Sequence, residues 1–597
     1  MVAGTNLVDK VVDADVLVVG GAGAGLRASI GAAENGAKTI LISKGPVAKS
    51  GASLLAGADL TLDGKSLHEL GFTGEPRDTK RKFFNDIVRQ GFYLNNQRLV
   101  EVYVADAPKR VKELLDWGIK VGFTEERAIF ASGSSILGAL LRKAKEVGVE
   151  MMDDVMLIDL LMKERRISGA LGLDIKTGDL IAFKSKAVVL ATGGWHKAYS
   201  PNAGPRELSG DGHAAAYRAG AELANMEFVT FCCNVLLWPP KWRGIIFTYI
   251  LSLLIGGKLV NSQGEDFAAK YDPAIVKVGT STEWNKSFVS ITTALEVLEG
   301  RGSPHGGVYY GFGDMAWNEF ESRVTRRYPN WKYTGIDFSE LGKLLKEGKP
   351  VEVGPAAEYF EGGIVVNEKF EASIPGLYAG GECTASLFGA NRVAAATTEM
   401  IVEGAIAGES AAEYAKKINM LDIDERQVER LREKVLSPLK REGGVKPIEL
   451  RNRIQRIANK TLGPVRNRKG IEKLIQFIET VKNNELPRLY TSSKSERYNK
   501  EWIETLELEN VVNVLEVSAR SALMRTESRG VHYCSDCPQA DNKNWLKEIV
   551  VKRVGDKIRT TTRPVTVTKL PLPGGVVPYM EMMKRLMEAH SEIGGHH

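Results

Sequence analysis

Three stretches of this sequence combine residue types and spacing that could do chemistry. The first is Gly20-Gly21-Ala22-Gly23-Ala24-Gly25, which follows the apolar run 15–19 (DVLVV) and precedes an alanine-rich stretch. A strand that ends in glycines and continues as a helix presents backbone N–H groups and a positive dipole end to a diphosphate. Gly20 and Gly25 fit the G-x-G-x-x-G pattern, while Ala22 takes its middle position, flanked by Gly21 and Gly23. A tight packing turn would leave the same trace. At the end of the next apolar run stands Ser43-Lys44 rather than the acidic residue usual in NAD binders, which weighs against a nicotinamide site. The second stretch is Ala191-Thr192-Gly193-Gly194, directly after an apolar run. The third is 375–382 (PGLYAGGE) followed by Gly389-Ala390-Asn391-Arg392. Glycines at such points let the backbone approach a large planar group. Glu382 can accept hydrogen bonds from hydroxyls on that group.

The elements that must position these turns follow from periodicity. Residues 15–19, 26–36 and 39–42 read as a βαβ unit. Helices are expected within 76–120 and over 135–147, then strands near 154–161, 167–174 and 187–190, the last running straight into Ala191. The fold class is therefore α/β. A discontinuous Rossmann-like dinucleotide-binding domain spans 10–235 and 350–415. Residues 236–349, rich in Trp, Tyr and Gly, read as an inserted α+β domain. A helical domain occupies 416–545, with apolar spacing such as Val428, Leu431, Val435 and Leu439. A tail with short strands and a helix fills 546–597. No internal repeat or low-complexity tract is present.

Composition excludes several classes. The chain has 597 residues, 43% hydrophobic and 26% charged, which is ordinary for a globular protein and long enough to bury a large core. Its 61 glycines exceed the usual share of about 7%. A net charge of +6 with scattered basic residues argues against nucleic acid as a partner. Five cysteines, an odd number, favour a reducing compartment and a cytoplasmic location. The first ten residues lack an apolar core, so no signal peptide is expected. The most apolar stretch, 244–257, is shorter than the ~20 residues that span a bilayer and reads as buried core, with a shallow membrane contact as the alternative.

Beyond these single motifs, the chain resembles the flavoprotein subunits of succinate dehydrogenase and fumarate reductase, and more distantly L-aspartate oxidase and the α subunit of adenylylsulfate reductase. The matching stretches are VVGGAGAGLRA (18–28), LATGGW (190–195), SGDGHAAAYRAGAELANMEFV (209–229), GGKLVNSQGEDF (256–267), GPAAEYFEGGI (354–364), PGLYAGGECTASLFGANR (375–392) and RTESRGVHY (525–533). The resemblance runs from about residue 13 to 547. It implies bound FAD, a capping domain over the isoalloxazine, a C-terminal helical bundle and, in many members, an iron–sulfur partner subunit, through which the chain would reach the inner face of a membrane. By position, Gly20, Gly21, Gly23, Gly25, Ser43, Lys44, Ser50, Gly51, Ala191, Thr192, Gly193, Asp211, Glu382, Arg392, Thr397 and Thr398 would form the FAD site. Members with covalent FAD carry a histidine after the serine that is Ser50 here. Gly51 has no nucleophile, so non-covalent FAD is expected.

The departures bear on the substrate. The resemblance places a proton-delivering arginine eight residues before Asn261, where this chain has Leu253. Two substrate histidines fall on Cys232 and Glu358, and Arg392 keeps the role of clamping an anion. One cation is lost and one anion gained, so the pocket shifts by about −2. A dianion in a low-dielectric pocket of like charge costs several kcal/mol. Plain succinate or fumarate chemistry is therefore not expected, unless Lys241, Arg243 or Lys258 replaces the missing cation. Glu358, Arg392 and Cys232 are the candidate catalytic residues. Glu358 is a candidate acid or base, or else a partner of Arg392 or Lys258. Cys232 and Cys233 are thiols at the flavin or small buried hydrophobes. Cys534 and Cys537 have metal or redox spacing, but one pair cannot fill a four-ligand site, and no metal site is assigned. Trp195, Trp238 and Trp242 could line an aromatic pocket or pack in the core. The expected activity is exchange of hydride or electrons between flavin N5 and a small organic substrate. The alternatives are a true succinate dehydrogenase or fumarate reductase with relocated groups, and an electron conduit whose pocket is filled by Leu253 and Ile255.

Overall fold

The computed structural model describes the chain except for residues 1–6, 57–58, 126, 246–256, 272–282, 312–314, 328–336, 393–395 and 592–597. Leu253, Ile255 and most of the apolar stretch 244–257 lie outside the described residues.

The central sheet is built around strand β1 (Lys10–Val19), which continues through the glycine turn into helix α1 (Gly23–Glu34) and returns as strand β2 (Thr39–Ser43). β1 lies between β2 and strand Leu180–Leu190, parallel to both. Strand Leu377–Ala379 adds in parallel to the last residues of Leu180–Leu190, whose first half pairs antiparallel with Arg166–Asp174. Toward their carboxyl ends β1, β2 and Leu180–Leu190 are runs of Val, Ile, Leu and Ala with almost no exposure, as expected for a parallel sheet covered on both faces. One face carries α1, which packs against helix Ala396–Ala415 at very short range. A Cβ on Gly404 would stand 2.5 Å from the Ala24 carbonyl oxygen, and one on Gly408 2.0 Å from that of Ala28.

A second, antiparallel sheet runs in the order Val229–Trp238, Glu352–Phe360, Val308–Gly311 and Lys258–Val260, with helix Glu283–Leu298 against it. Its strands begin at Val229 and end at Phe360. They therefore extend past both expected bounds of the insert, because Trp- and Gly-rich composition marks the middle of this stretch and not its first and last strands.

Helices Glu425–Lys440, Pro447–Thr461, Arg468–Thr480 and Lys500–Met524 form the helical region. Val428, Leu431, Val435 and Leu439 are buried against Trp502, Ile503 and Leu161. The tail is not a separate unit. Its hairpin, Lys547–Val554 with Lys557–Pro564, joins Leu223–Ala224 and Gly363–Ile364 in a four-stranded sheet. Beyond it, the side chain of Gln97 accepts from the N–H groups of Thr568, Lys569 and Leu570 and donates to the Leu570 carbonyl at 2.6 Å.

A buried ionic network joins the two halves of the molecule. Arg525 donates to Glu227 and Glu527, each at 2.8 Å, and Arg529 holds both oxygens of Glu527 at 2.8 Å. Arg466 reaches Nδ1 of His532 at 2.8 Å and the Glu227 carbonyl at 2.5 Å. Among the described residues, no helix is long and apolar enough to cross a membrane.

Candidate active site at the carboxyl edge of the sheet

The carboxyl ends of four parallel strands converge. Val19, Ser43, Leu190 and Ala379 end their strands, and the residues that follow, Gly20, Lys44, Ala191 and Gly380, all line one cleft. Crevices at this edge are where open α/β sheets bind ligands. Gly20 sits at φ +126°, and a Cβ there would lie 2.1 Å from the Ala191 carbonyl oxygen, so only glycine lets the two strand ends cross. The residue ahead of α1 is Ala22, which provides no side-chain cap, and the first turn holds no acidic residue. An uncapped helix N-terminus at a glycine turn suits a diphosphate.

At one end of the cleft Lys44 donates to Ser209 at 2.6 Å, Asp211 at 2.7 Å and Glu507 at 2.9 Å. Burial works against its charge, but the two carboxylates outweigh burial and raise its pKa. Burial likewise pushes against the charge of Asp211, yet Lys44, Ser209 and Asn510 hold its carboxyl below the usual value. Glu507 comes from helix Lys500–Met524, so the helical region helps close this end.

At the other end the antiparallel sheet meets the central one. Thr230 pairs with Tyr359 and Phe231 with Ala357, which leaves Glu358 as an extra residue on its strand. Such a bulge re-aims side chains, and here both Glu358 and Tyr359 line the cleft. The Arg392 guanidinium lies over the Tyr359 ring, 4.6 Å from its centroid. The Tyr359 hydroxyl donates to Glu399 at 2.5 Å, and Glu399 stands in the first turn of helix Ala396–Ala415. Glu382 accepts from the N–H groups of Gly194 at 3.1 Å and Phe360 at 3.3 Å.

The carboxyls here are unusually basic. Burial and the nearby Glu399 charge push Glu382 up to about 8, against the pull of Arg392. Burial pushes Glu399 up to about 7, with Tyr359 and Arg392 holding it down. Just behind the cleft, burial pushes Glu361 up to about 8 despite its hydrogen bond from Thr230. Burial, then repulsion from Glu399, raises Glu403 well above the usual range, although Gly381 and Thr384 donate to it at 2.8 and 2.9 Å. Among the described residues, two cations line the cleft, Lys44 and Arg392, against the carboxyls of Asp59, Glu207, Asp211, Glu358, Glu382 and Glu399.

Of the residues singled out in the sequence, Gly20, Gly21, Ser43, Lys44, Ser50, Gly51, Ala191, Thr192, Gly193, Asp211, Glu358, Glu382, Arg392 and Thr397 line this cleft. Gly23, Gly25 and Thr398 do not line it. Gly23 and Gly25 pack α1 against Met400 and Gly20, and Thr398 accepts from the Thr61 N–H at 2.7 Å. Cys232 does not line it either, which corrects its candidacy as a catalytic thiol. It is fully buried in its strand, paired with Ala356, and the side chain of Cys233 lies outside the described residues. Trp195 and Trp242 are buried in packing and Trp238 stacks on His305 at 4.7 Å, so none of the three faces the cleft. Lys241, Arg243 and Lys258 are exposed, and Lys241 pairs with Glu340. None of them supplies the cleft with a cation in this structure. Asn261 is buried and donates to Glu265 and Glu296. Cys534 and Cys537 close a turn through a 2.9 Å backbone hydrogen bond, and among the described residues no group of three metal-ligating side chains occurs. The sequence reading missed Glu399, Tyr359, Asp59 and Glu207. Glu207, which accepts from the Gly51 N–H at 2.9 Å, and Asp59 gave no spacing signal at all.

An uncapped helix behind a glycine turn, glycines at each strand end, and a carboxyl held among them together fit a flavin dinucleotide. The fold and cleft thus define a dinucleotide-binding flavoprotein. The family model described as "FAD binding domain" matches residues 15–129 and 120–398, and that described as "Fumarate reductase flavoprotein C-term" matches residues 451–585. The chain is 29% identical to a fumarate reductase (CoM/CoB) subunit of Methanothermobacter marburgensis, across 91% of this chain and 97% of that one. It is 31% identical to an uncharacterized FAD-dependent oxidoreductase of Methanocaldococcus jannaschii, across 90% and 96%. Among solved structures, FrdA of the E. coli quinol fumarate reductase superposes with a TM-score of 0.82 at 27% identity, covering 94% of this chain and 98% of FrdA. The chain belongs to the succinate dehydrogenase/fumarate reductase flavoprotein family and is an FAD-dependent oxidoreductase.

Proposed function

We propose that this chain binds FAD without a covalent bond and exchanges an electron pair between flavin N5 and a small organic substrate with one anionic group, clamped by Arg392, and that an iron–sulfur partner carries electrons to or from the flavin. FAD when bound supplies the hydride chemistry; the protein supplies position and charge. The N-terminus of α1 and the glycines around it hold the diphosphate. Glu382 meets the ribityl hydroxyls, and the Lys44–Asp211 pair closes the far end. Arg392 orients the substrate anion, and Glu358, aimed into the cleft by its bulge, is placed to take or give the substrate proton.

One observation carries the choice of substrate. Arg392 shares its part of the cleft with Glu358, Glu382 and Glu399, and among the described residues the only other cleft cation, Lys44, is engaged by Asp211 and Glu507. Such a pocket accommodates one negative charge more readily than two. The position expected to carry the proton-delivering arginine, Leu253, lies outside the described residues. The iron–sulfur partner is supported by the relatives, which are named as subunits.

The deciding assay is fumarate reduction by the FAD-loaded protein with a reduced viologen dye. Turnover is expected to be negligible. Robust turnover overturns this reading and establishes a fumarate reductase with relocated groups. Acid precipitation is expected to release all yellow colour into the supernatant, since Gly51 offers no atom for a covalent link. Isolation of the native complex is expected to bring down a partner with iron and acid-labile sulfide.

A further inference from the structure

We infer that anion capture at Arg392 is proton-linked: when an anion docks on the guanidinium, Glu399, whose negative charge Arg392 otherwise sustains, takes up a proton from water, with Tyr359 fixing both groups in place. This rests on the reading of Arg392 as the anion clamp. The arrangement is a stack of three residues. Arg392 lies on the ring face of Tyr359, and the hydroxyl of that ring donates to Glu399 at 2.5 Å. All three line the cleft. The guanidinium is therefore held at the cleft wall within the field of a carboxylate that an incoming anion must compete with.

Glu399 is the group in this cluster best placed to yield. Glu382 is anchored by two backbone N–H groups, Glu403 by Gly381 and Thr384, and Glu361 by Thr230. Glu403 and Glu361 also stand behind the cleft. The groups facing Glu399 come from every side. They are Tyr359 on strand Glu352–Phe360, Arg392 ahead of its own helix, Glu382 after strand Leu377–Ala379, Glu403 one turn along, and Tyr103 on helix Gln97–Asp116. Arg392 is the one cation among them. When a ligand anion shares that cation, its support for the Glu399 charge weakens, while burial continues to oppose it. The proton adds to a carboxylate oxygen of Glu399, one O–H bond forms, and Tyr359 keeps its own proton. One anion and one proton enter together, so the charge of the cleft is unchanged.

Burial already holds the free group at about 7, and sharing Arg392 moves it higher. Between these two values each bound anion takes up one proton, so affinity falls by about tenfold per pH unit. The probe is acetate, a monoanion that does not react with the flavin, titrated into the FAD-loaded protein at about pH 6 to 9 and read from the flavin absorbance. The dissociation constant of the wild type is expected to rise about tenfold per unit above about pH 7. Calorimetry in phosphate and in Tris is expected to count close to one proton taken up. Glu399→Gln is expected to bind with little pH slope below about pH 8, where Glu382 still holds its proton, and at least as tightly at the alkaline end. Tyr359→Phe removes the hydroxyl that favours the carboxylate, so its slope is expected to begin at higher pH, a shift that mere loosening of the fold does not produce. A Glu399→Gln protein that retains its FAD and the wild-type slope overturns the linkage. Acetate binding by the wild type with no slope overturns it too, while leaving Arg392 as the clamp. Absence of acetate binding at every pH overturns the clamp and the linkage together.

Discussion

Two of the buried charge clusters among the described residues are built in opposite ways. In the network of Glu227, Arg466, Arg525, Glu527, Arg529 and His532, most guanidinium hydrogens meet a carboxylate or a backbone carbonyl such as that of Lys547, and only Glu227 Oε2, Arg466 Nη2 and His532 Nε2 are left without a hydrogen bond among the described residues. In the cleft, Arg392 stands among more carboxyls than it can neutralise, and those of Glu382 and Glu399 respond by holding protons. A network whose cations and carboxylates nearly balance fixes the fold. An unbalanced one can exchange protons and accept an anion. The segment 525–533 is one of the stretches that carry the family resemblance, yet its charged residues act on one another and not on the cleft.

The contrast breaks most visibly under loss of an arginine. Arg525→Met leaves Glu227 buried without its guanidinium and is expected to cost about 3–5 kcal/mol in urea unfolding. A loss below about 1 kcal/mol would place this network with ordinary surface pairs. Arg392→Gln is expected to cost less than about 1 kcal/mol in the same experiment, because Glu382 and Glu399 can protonate instead of remaining charged. Its effect should appear as loss of acetate binding by about 100-fold or more, the scale of a charge-assisted hydrogen-bond pair.

pH sharpens the same comparison with opposite signs. Glu382 and Glu361 hold their protons to about pH 8 in the native state, while the unfolded chain releases them near 4.5. The native state binds more protons in that window, so this contribution to stability is present at low pH and falls as pH rises from about 4.5 to about 8. His532 behaves the other way. Burial first, then Arg466 and Arg525, hold its pKa well below the ordinary 6.5, so the unfolded chain gains a proton that the native state refuses. Its contribution is lost as pH falls below about 6.5. Urea midpoints across the range are expected to show both arms. Glu382→Gln should flatten the alkaline arm, and His532→Asn the acidic one, by smaller amounts than either arginine substitution.

The glycine turn, the strand–turn repeats and the helical periodicity were legible because each is a local pattern. Gly20 must be glycine to pass Ala191, and that constraint leaves its mark in a six-residue window. Glu358 was legible by position along the family motif. The cluster around Arg392 was not. Tyr359 and Glu399 are separated by 40 residues, and they meet only because a bulge turns the Glu358–Tyr359 pair inward. Cys232 was misplaced for a related reason: its strand is buried on both faces at this point, so position along a motif does not by itself bring a side chain to the cleft. The pairing of Val229–Trp238 with Glu352–Phe360 is likewise long-range and leaves no local mark in the sequence.

The Gln97 clasp has a consequence for biosynthesis. Vectorial translation delivers Leu223–Ala224 and Gln97 long before the hairpin and the strap that fasten to them. A nascent chain still short of Thr568 already contains every residue that lines the cleft, but not the segment that fastens to Gln97. The fastening therefore forms only after the whole cleft has been synthesised, and a stop ahead of Thr568 removes it while sparing every cleft residue.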